Sequence, residues 1–497
     1  MLRRVICLMA IITNFLYSEA QEIYSETYRP QIHFSPIANW MNDPNGLIFF
    51  EGTYHLFFQY YPDSTVWGPM HWGHAVSKDL VHWKQLPIAL YPDSLGYIFS
   101  GSAVVDKSIT SGFEANGKIP LIAIYTQHDP AGEKTGSNFF QNQSIAYSLD
   151  DGNSWTKYAG NPVLKTPGLK DFRDPKVSWY AEQKKWIMTL AAGDHIMFYS
   201  SKNLKTWRKE SEFGAGIGAH GGVWECPDLI PFIVDGKKIW LLIVNINPGG
   251  IQGGSGTQYF TGDFDGHVFS CKDTITRWAD YGPDNYAGVT FSNTGNDKIF
   301  LGWMSNWLYG TKVPTLKWRS AMTIPRVLDL KKIGGSYYTT MMPVESIEKL
   351  VTKTYSYNHD STENGITISG PTRIELNISD LHSFALIFSN QSGQSLKAGY
   401  NEEKNSFFID RTKAGNSAFA PQFASIHFGP RITQVNNSKI IMILDNASLE
   451  LFADEGLTTM TEIFFPDQPY NSVQQEISRK PVNDIKISRL SSIWNLH

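Results

Sequence analysis

Three short segments combine an acidic residue with a turn, and they are the strongest candidates for chemistry in the sequence. In chain order they read Trp40-Met41-Asn42-Asp43-Pro44-Asn45-Gly46, Phe172-Arg173-Asp174-Pro175 and Trp224-Glu225-Cys226-Pro227-Asp228. Cleavage of a glycosidic bond needs a carboxylate on one face of the sugar and a carboxylic acid near the leaving oxygen. Acids held rigidly at strand ends among aromatic residues could supply both groups. Asp43, Asp174 and Glu225 are therefore candidate catalytic residues.

Each segment, taken alone, also has a simpler structural interpretation. Asn-Asp-Pro-Asn-Gly is good turn chemistry without any catalytic role. Arg173 and Asp174 could form a structural ion pair at a turn. Glu225 could be an ordinary acid at the end of a strand. No single segment decides between these interpretations.

The elements around these segments are predicted to be short strands. Runs such as 54–59 and 239–244 are rich in β-branched and aromatic residues and alternate with Gly, Asn, Asp and Pro turns. A phrase that follows a strand and ends on tryptophan occurs at 77–83, recurs at 201–207, and has a looser relative at 148–155. Such repetition favours the blades of a β-propeller, although coincidence of strand, turn and tryptophan chemistry is the alternative.

The composition changes near residue 335 and indicates a second domain. Fourteen of the fifteen tryptophans lie at or before Trp318, and the later sequence alternates apolar and polar residues in short runs. We predict an all-β chain: a β-propeller catalytic domain over 21–340, a linker over 341–353 and a C-terminal β-sandwich over 354–497.

The first residues predict secretion. Residues 1–20 have a basic start, an apolar run that is too short to span a membrane, and a small-x-small cleavage site, so they are interpreted as a signal peptide. Five Asn-x-Ser/Thr acceptors for glycosylation fit that route: Asn142, Asn377, Asn390, Asn436 and Asn446. The mature protein is expected to be extracellular and not membrane-bound.

Charge and cysteine usage exclude several classes of protein. Lys and Arg total 43 against 47 Asp and Glu, a net charge of −4, so no basic field would attract nucleic acid. Cys226 and Cys271 remain after the signal peptide, too few for a disulfide scaffold. The thirteen histidines are dispersed, so we expect neither a metal site nor a cofactor. A neutral small-molecule sugar is the partner that fits best.

Taken together, the three segments resemble the marks of glycoside hydrolase family 32, the invertases, inulinases and levanases. All three are intact and in the family's order. The resemblance extends to further positions along the mature chain: Gln59, Trp67, 99–103, 254–259, Gly302-Trp303 and 449–456. It implies a five-bladed β-propeller with the active site in its axial funnel, followed by a β-sandwich.

The resemblance also implies a role for each residue. Asp43 would be the nucleophile, Glu225 the acid/base with Trp224 favouring its protonated form by desolvation, and Asp174 a transition-state stabiliser held by Arg173. Cys226 would sit beside the acid without being a nucleophile. The sugar would be bound by Asn42, Gln59, Trp67, Phe99, Ser100, Arg173 and Trp303.

The implied function is that of a retaining β-fructofuranosidase acting on terminal non-reducing β-D-fructofuranosides, with sucrose as the favoured substrate. The same fold could instead act on inulin or levan, or transfer fructose to another sugar. A third hypothesis, a non-catalytic sugar-binding protein, is disfavoured because all three acids are present.

Overall fold

The computed structural model shows a chain built almost entirely from antiparallel strands. It describes residues 24–114, 117–357, 365–477 and 479–494, so the predicted signal peptide lies outside the described residues. Within these ranges the helical segments are one α-helix, Pro130–Lys134, and two 3₁₀ turns, Ala181–Gln183 and Glu345–Leu350. None of the described helices has the length and apolarity to cross a membrane. The all-β prediction is confirmed.

The first part of the described chain forms five antiparallel sheets in chain order, called blades 1 to 5 below. Blade 1 comprises β1 (Asn39–Phe50), β2 (Thr53–Tyr61), β3 (His71–Ser77) and β4 (Trp83–Leu90), and blade 2 comprises β5 (Tyr97–Val105), β6 (Leu121–His128), β7 (Gln141–Ser148) and β8 (Thr156–Lys157). Blade 3 comprises β9 (Phe172–Tyr180), β10 (Lys185–Ala192), β11 (His195–Ser201) and β12 (Arg208–Phe213), and blade 4 comprises β13 (Val223–Val234), β14 (Lys237–Asn247), β15 (Gly256–Phe264), β16 (Phe269–Ser270) and β17 (Arg277–Trp278). Blade 5 comprises β18 (Tyr286–Thr290), β19 (Ile299–Met304), β21 (Ala321–Met322), β22 (Arg326–Ile333) and β23 (Ser336–Pro343), while β20 (Trp318–Arg319) joins blade 1.

The five blades close into a ring, as the predicted β-propeller requires. The first strand of each blade contacts the first strand of the next, and β18 contacts β1 to complete the circle. Closure is reinforced by β20, which pairs in parallel with the start of β1, and by a parallel bridge between Ile48 and Ser292. The first strands therefore surround the axis of the propeller.

The repeated phrase of the sequence is a capped turn that joins the third and fourth strands of blades 1, 2 and 3. In blade 1 the Ser77 hydroxyl accepts the Leu80 N–H at 2.8 Å, and the Trp83 indole donates to the Leu80 carbonyl at 2.9 Å. The same two bonds recur at 201–207, and a related pair occurs at 148–155. The prediction that this phrase marks successive blades is confirmed.

Two six-stranded sheets follow and pack face to face as the predicted β-sandwich. One contains β24 (Val351–Tyr357), β35 (Ile485–Leu490), β26 (Thr372–Ile378), β31 (Ser438–Leu444), β32 (Ser448–Ala453) and β33 (Thr458–Ile463). The other contains β25 (Ile366–Thr367), β34 (Ser472–Ile477), β27 (Phe384–Ser389), β28 (Ser395–Asn401), β29 (Ser406–Lys413) and β30 (Ile426–Pro430). The predicted linker, 341–353, falls on the end of β23, a 3₁₀ turn and the start of β24.

A buried network of charges joins the sandwich to the propeller. The Arg326 guanidinium of β22 donates to Glu450 of β32 at 3.1 Å and to Asp280 at 2.8 Å. His33 lies 2.8 Å from Asp445 and 2.9 Å from Glu450. Burial alone would lower the pKa of His33, but these two carboxylates raise it to about 9. The sandwich thus braces the closing blade of the ring.

Candidate active site

The first strand of every blade carries a β-bulge at the same end of the ring. In each case two residues of that strand have no direct counterpart on the neighbouring strand. The unmatched pairs are Asn42-Asp43, Phe99-Ser100, Asp174-Pro175, Cys226-Pro227 and Ala287-Gly288. A bulge bends its strand and redirects the side chains beside it. In blades 1 to 4, residues in or beside the bulge therefore turn toward the axis.

Three of these bulges contain or adjoin a proline. Asp43, Asp174 and Cys226 each precede a proline, which has no N–H to contribute to a β-ladder and is tolerated at a bulge. Asp174 and Cys226 also have left-handed backbones, with φ of 65° and 41°. The acidic segments found in the sequence are thus the bulges themselves, which explains their turn-like composition.

Side chains in or beside the bulges of blades 1 to 4 line one cavity of about 400 Å³ at the centre of the ring, called the axial cavity below. It brings together the three predicted acids, Asp43, Asp174 and Glu225, and six of the seven predicted binding residues: Asn42, Gln59, Trp67, Phe99, Ser100 and Arg173. Its volume is that of a small-molecule site, and its lining combines aromatic faces with convergent polar groups.

Asp43 is held by three side chains. Ser100 donates its hydroxyl hydrogen to Oδ2 at 2.6 Å, Asn42 donates to Oδ1 at 3.0 Å, and the Cys226 thiol lies 3.5 Å from Oδ2. Burial and the negative charge of Glu225 raise the pKa of Asp43, while these hydrogen bonds oppose the rise because they favour the ionised form. The network orients the carboxylate toward the cavity.

Glu225 is held between a cation and a phenol. Arg173 donates to Oε1 through Nη2 at 2.8 Å and Nε at 3.2 Å, and the Tyr286 hydroxyl donates to Oε2. Trp224, expected to desolvate this acid, lies on the other face of β13, where its indole donates to Ala219 O. Consecutive strand residues point to opposite faces, so Tyr286 from blade 5 is the aromatic neighbour instead.

Asp174 is the most enclosed of the three acids, with 5% of its surface exposed. Its Oδ2 accepts the Cys226 N–H at 3.1 Å. Burial raises its pKa to about 7, against the lowering effect of Arg173 and with further raising by the negative charges of Glu225 and Asp43. The pKa values of Asp174 and Asp43 are therefore raised for a common reason, since burial and neighbouring negative charge both disfavour their ionised forms.

Arg173 has different main partners from those expected. Its guanidinium lies 3.9 Å from Asp174, but it forms close ion pairs with Glu225 and with Asp171, the latter at 2.6 Å. Because the bulge turns Asp174 away from its neighbour, the arginine reaches across to blade 4. Arg173 therefore orients the candidate acid/base more directly than the candidate stabiliser.

Trp303 does not reach the axial cavity. It is fully buried in β19, with its ring 6.0 Å from that of Trp40 and 5.0 Å from that of Trp307. Trp307, four residues later and just beyond the strand, lines the cavity in its place. At this position of β19 the side chain packs between Trp40 and Trp307, whereas the loop after the strand turns toward the cavity. This placement corrects the expectation for Trp303.

Sequence reasoning missed Tyr286, the hydrogen-bond partner of Glu225, and six residues that line the cavity. The six are His128, Glu133, Gln141, Asp171, Asn247 and Trp307. Glu133 stands on the short α-helix and lies 3.1 Å from His128, whose ring stacks on Phe99 at 4.3 Å. The dipeptide Asp129-Pro130 was the available signal for that helix, since Asp129 caps its N-terminus and Pro130 occupies the first turn.

Cysteines and metal ligands add no further chemistry to this cavity. In the ranges that the structure describes, Cys226 and Cys271 are both free, and no group of three His, Cys, Asp or Glu side chains could hold a metal ion. Burial raises the pKa of the Cys226 thiol well above its usual value, so the thiol is protonated and serves as a weak donor.

The arrangement is chemically suited to acid/base-assisted displacement at a sugar carbon. Asp43 and Glu225 come from blades 1 and 4, line the same cavity and interact electrostatically. One is supported by hydroxyl, amide and thiol donors, and the other by a guanidinium and a phenol. Two carboxyl groups in different environments can take different roles in one reaction.

Comparison with known proteins agrees with this geometry. The model of the glycosyl hydrolases family 32 N-terminal domain matches residues 33–340, and that of the family 32 C-terminal domain matches residues 345–489. A levanase of Bacillus subtilis is 45% identical over 95% of this chain and 72% of its own length. An extracellular exo-inulinase of Aspergillus ficuum is 40% identical over 95% of this chain and 96% of its own length.

Solved structures show the same architecture. The crystal structure of exo-inulinase from Aspergillus awamori superposes with a TM-score of 0.87 at 37% identity, covering 95% of this chain and all of that one. A β-fructofuranosidase from Schwanniomyces occidentalis, complexed with fructosyl-erythritol, gives a TM-score of 0.84 at 33% identity, covering 95% of this chain and 99% of that one. The chain therefore belongs to glycosyl hydrolases family 32.

Proposed function

We propose that this glycosidase is a secreted, retaining β-fructofuranosidase that releases terminal non-reducing β-D-fructofuranosyl units, with sucrose as its first substrate. The observation that carries the proposal is the axial cavity, in which Asp43, Asp174 and Glu225 meet among amide, hydroxyl and aromatic groups. Amides and hydroxyls match the hydroxyl groups of a sugar, and aromatic faces match its apolar surface. A double displacement requires one carboxylate as nucleophile and one carboxyl group as acid and then base, and the cavity contains both.

In the proposed reaction Asp43 attacks the anomeric carbon of fructose while Glu225 protonates the oxygen of the leaving sugar. The resulting bond between Asp43 and fructose is then hydrolysed by water, from which Glu225 removes a proton. Asp174 accepts hydrogen bonds from fructose hydroxyls that strengthen as positive charge develops on the ring. Arg173 and Tyr286 keep the carboxyl group of Glu225 in a single orientation.

A second candidate is removal of terminal fructose from levan or inulin. It is favoured by the names of the relatives described above, a levanase and an exo-inulinase, which are 45% and 40% identical to this chain. Trp67, with 40% of its surface exposed, and Trp307 lie among the cavity residues and could contact sugar units beyond the terminal fructose. Both candidates share the same chemistry and differ in the leaving group.

The test is to incubate the purified protein with sucrose, inulin, levan and maltose and to quantify fructose and glucose separately. Fructose release from sucrose supports the first candidate, and preference for either polymer supports the second. Glucose release from maltose without fructose release from sucrose would refute both. Proton NMR of the first-formed fructose anomer tests retention directly.

The catalytic roles are tested by Asp43→Ala and Glu225→Gln. Each variant is expected to lose at least about a hundredfold in kcat while remaining folded, because water cannot replace a positioned carboxyl group. Circular dichroism checks the fold. Asp171→Asn is a control that removes a carboxylate of the same cavity, and it should retain far more activity because Arg173 keeps its bonds to Glu225. Near-normal turnover in either catalytic variant would mean that the roles are misplaced.

A further inference from the structure

A second cavity, of about 520 Å³, lies at the other end of the propeller axis and is called the opposite cavity below. Three first strands, β5, β9 and β13, contribute residues to both cavities. On each of these strands the residues at or before the bulge line the axial cavity, and residues later in the strand, such as Val104, Lys176 and Asp228, line the opposite one. The two cavities therefore open at opposite faces of the ring.

A group of hydrogen-bonded residues, Lys176, Asp228 and Thr290, separates the two cavities. Asp228 accepts the backbone N–H of Thr290 at 2.8 Å and its hydroxyl at 2.7 Å, and the Lys176 ammonium lies 3.2 Å from the same carboxylate oxygen. Lys176 also donates to the Thr290 carbonyl. These bonds connect three blades across the axis, so a ligand in the opposite cavity would not contact the catalytic acids.

The opposite cavity displays an exposed and rigidly held tryptophan. Among the tryptophans of the described chain, Trp67 and Trp179 have the greatest exposure, 40% each. Trp67 lines the axial cavity and Trp179 lines the opposite one. The ring of Trp179 packs edge-on against Trp186 at 4.9 Å, and the Trp186 indole donates to Thr110 at 2.8 Å. A braced indole offers its face to a ligand at little cost in conformational entropy.

Hydrogen-bonding groups surround this indole. Asn293, Thr294, Ser178 and Lys298 all line the cavity. The Lys298 ammonium donates one bond to Gly295 O at 3.1 Å, which leaves donors for a ligand. Burial lowers the pKa of Lys298, although the negative charges of Asp228 and Asp297 oppose this effect. Because Lys298 is partly shielded from water, hydrogen bonds from its ammonium to hydroxyl or carbonyl oxygens of a ligand would be favourable.

We propose that the opposite cavity is a second saccharide-binding site, in which Trp179 stacks on a sugar ring and Lys298 and Asn293 bind its hydroxyl groups. A saccharide fits better than a simple anion, because Asp228 already neutralises Lys176 and an indole face contributes nothing to binding an inorganic anion. The site would hold a fructan chain on the enzyme without taking part in hydrolysis. The choice of a fructan as ligand rests on the proposed function.

The experiment is a calorimetric titration of the non-hydrolysing Asp43→Ala protein with nystose, an inulin-type tetrasaccharide. Two binding events are expected. Adding Trp179→Ala should weaken one of them by about tenfold, the value of a lost aromatic contact, and Trp179→Phe should restore part of it. Tyr355→Ala is the matched control, since it removes an exposed aromatic residue of the sandwich, 44% exposed, that lines neither cavity. This control should bind as the parent does.

In the otherwise wild-type enzyme, Trp179→Ala should leave kcat/KM for sucrose unchanged. The proposal is overturned if Trp179→Ala binds nystose with the affinity and stoichiometry of its parent. It is also overturned if inorganic phosphate displaces nystose from the second event, since the cavity would then be an oxyanion site. Absence of fructose release from sucrose, inulin and levan by the wild type would refute the proposed function instead, so the two failures are distinguishable.

Discussion

Replacing Arg326 by methionine tests whether the sandwich braces the propeller through buried charge. The guanidinium donates to Glu450, to Asp280 and, at 2.6 Å, to the hydroxyl of Thr461, and neither the arginine nor its two carboxylate partners has more than 1% of its side chain exposed. Methionine fills a similar volume but leaves two carboxylates buried without this partner.

The expected loss follows from that environment. Removing one partner of a buried ion pair costs about 3–5 kcal/mol, because the remaining charge is uncompensated. His33 stays 2.9 Å from Glu450 and compensates part of its charge, whereas Asp280 keeps only neutral donors, so we expect about 3 kcal/mol. A matched control exists on the same strand: Lys331 pairs with Glu455 of the sandwich at 2.8 Å, but both side chains are at least 48% exposed. Lys331→Met should cost less than about 1 kcal/mol.

The assay is equilibrium unfolding of the full chain in urea, followed by tryptophan fluorescence, which reports mainly on the propeller. Arg326→Met should move the first transition to clearly lower urea concentration, while Lys331→Met should leave it nearly in place. If Arg326→Met does not fold, Arg326→Lys, which retains the charge but not the fork of donors, should show an intermediate loss. Equal effects of the Arg326 and Lys331 variants would refute the role assigned to the buried network.

Three further predictions concern the cavity and the division of the chain. Ser100→Ala removes a hydrogen bond to ionised Asp43, so the pKa of Asp43 should rise and the acidic limb of the kcat/KM profile should move to higher pH; an unmoved limb would contradict this. Trp307→Ala should raise KM for sucrose severalfold, while Trp303→Phe, which loses no hydrogen bond, should leave KM unchanged. The reverse result would show that Trp303, and not Trp307, binds the sugar. Residues 21–340 expressed alone should aggregate or lack activity, because β23 is cut and apolar surface shared with the sandwich is exposed; a soluble, fully active fragment would show the sandwich to be dispensable.

Local sequence patterns predicted the all-β fold, the blades and the three candidate acids. The alternation of strand-forming runs and turns predicted an all-β chain, and the Ser-to-Trp phrase predicted blades because its hydrogen bonds are local to seven or eight residues. The three acids were candidates because each lies in a short segment of consecutive residues that contains a proline, and each segment forms a bulge; only the three segments together, through their resemblance to a family, assigned roles to them.

Only the tertiary structure decided which side chains complete the site. Tyr286 reaches Glu225 from another blade, Arg173 pairs with Glu225 more closely than with its neighbour Asp174, and Trp307 replaces Trp303 at the cavity. These contacts join residues that are distant in the chain, or depend on which way a bulged strand turns a side chain. A linear sequence specifies the type of each residue, but the direction of its side chain follows from how the blades close around their axis.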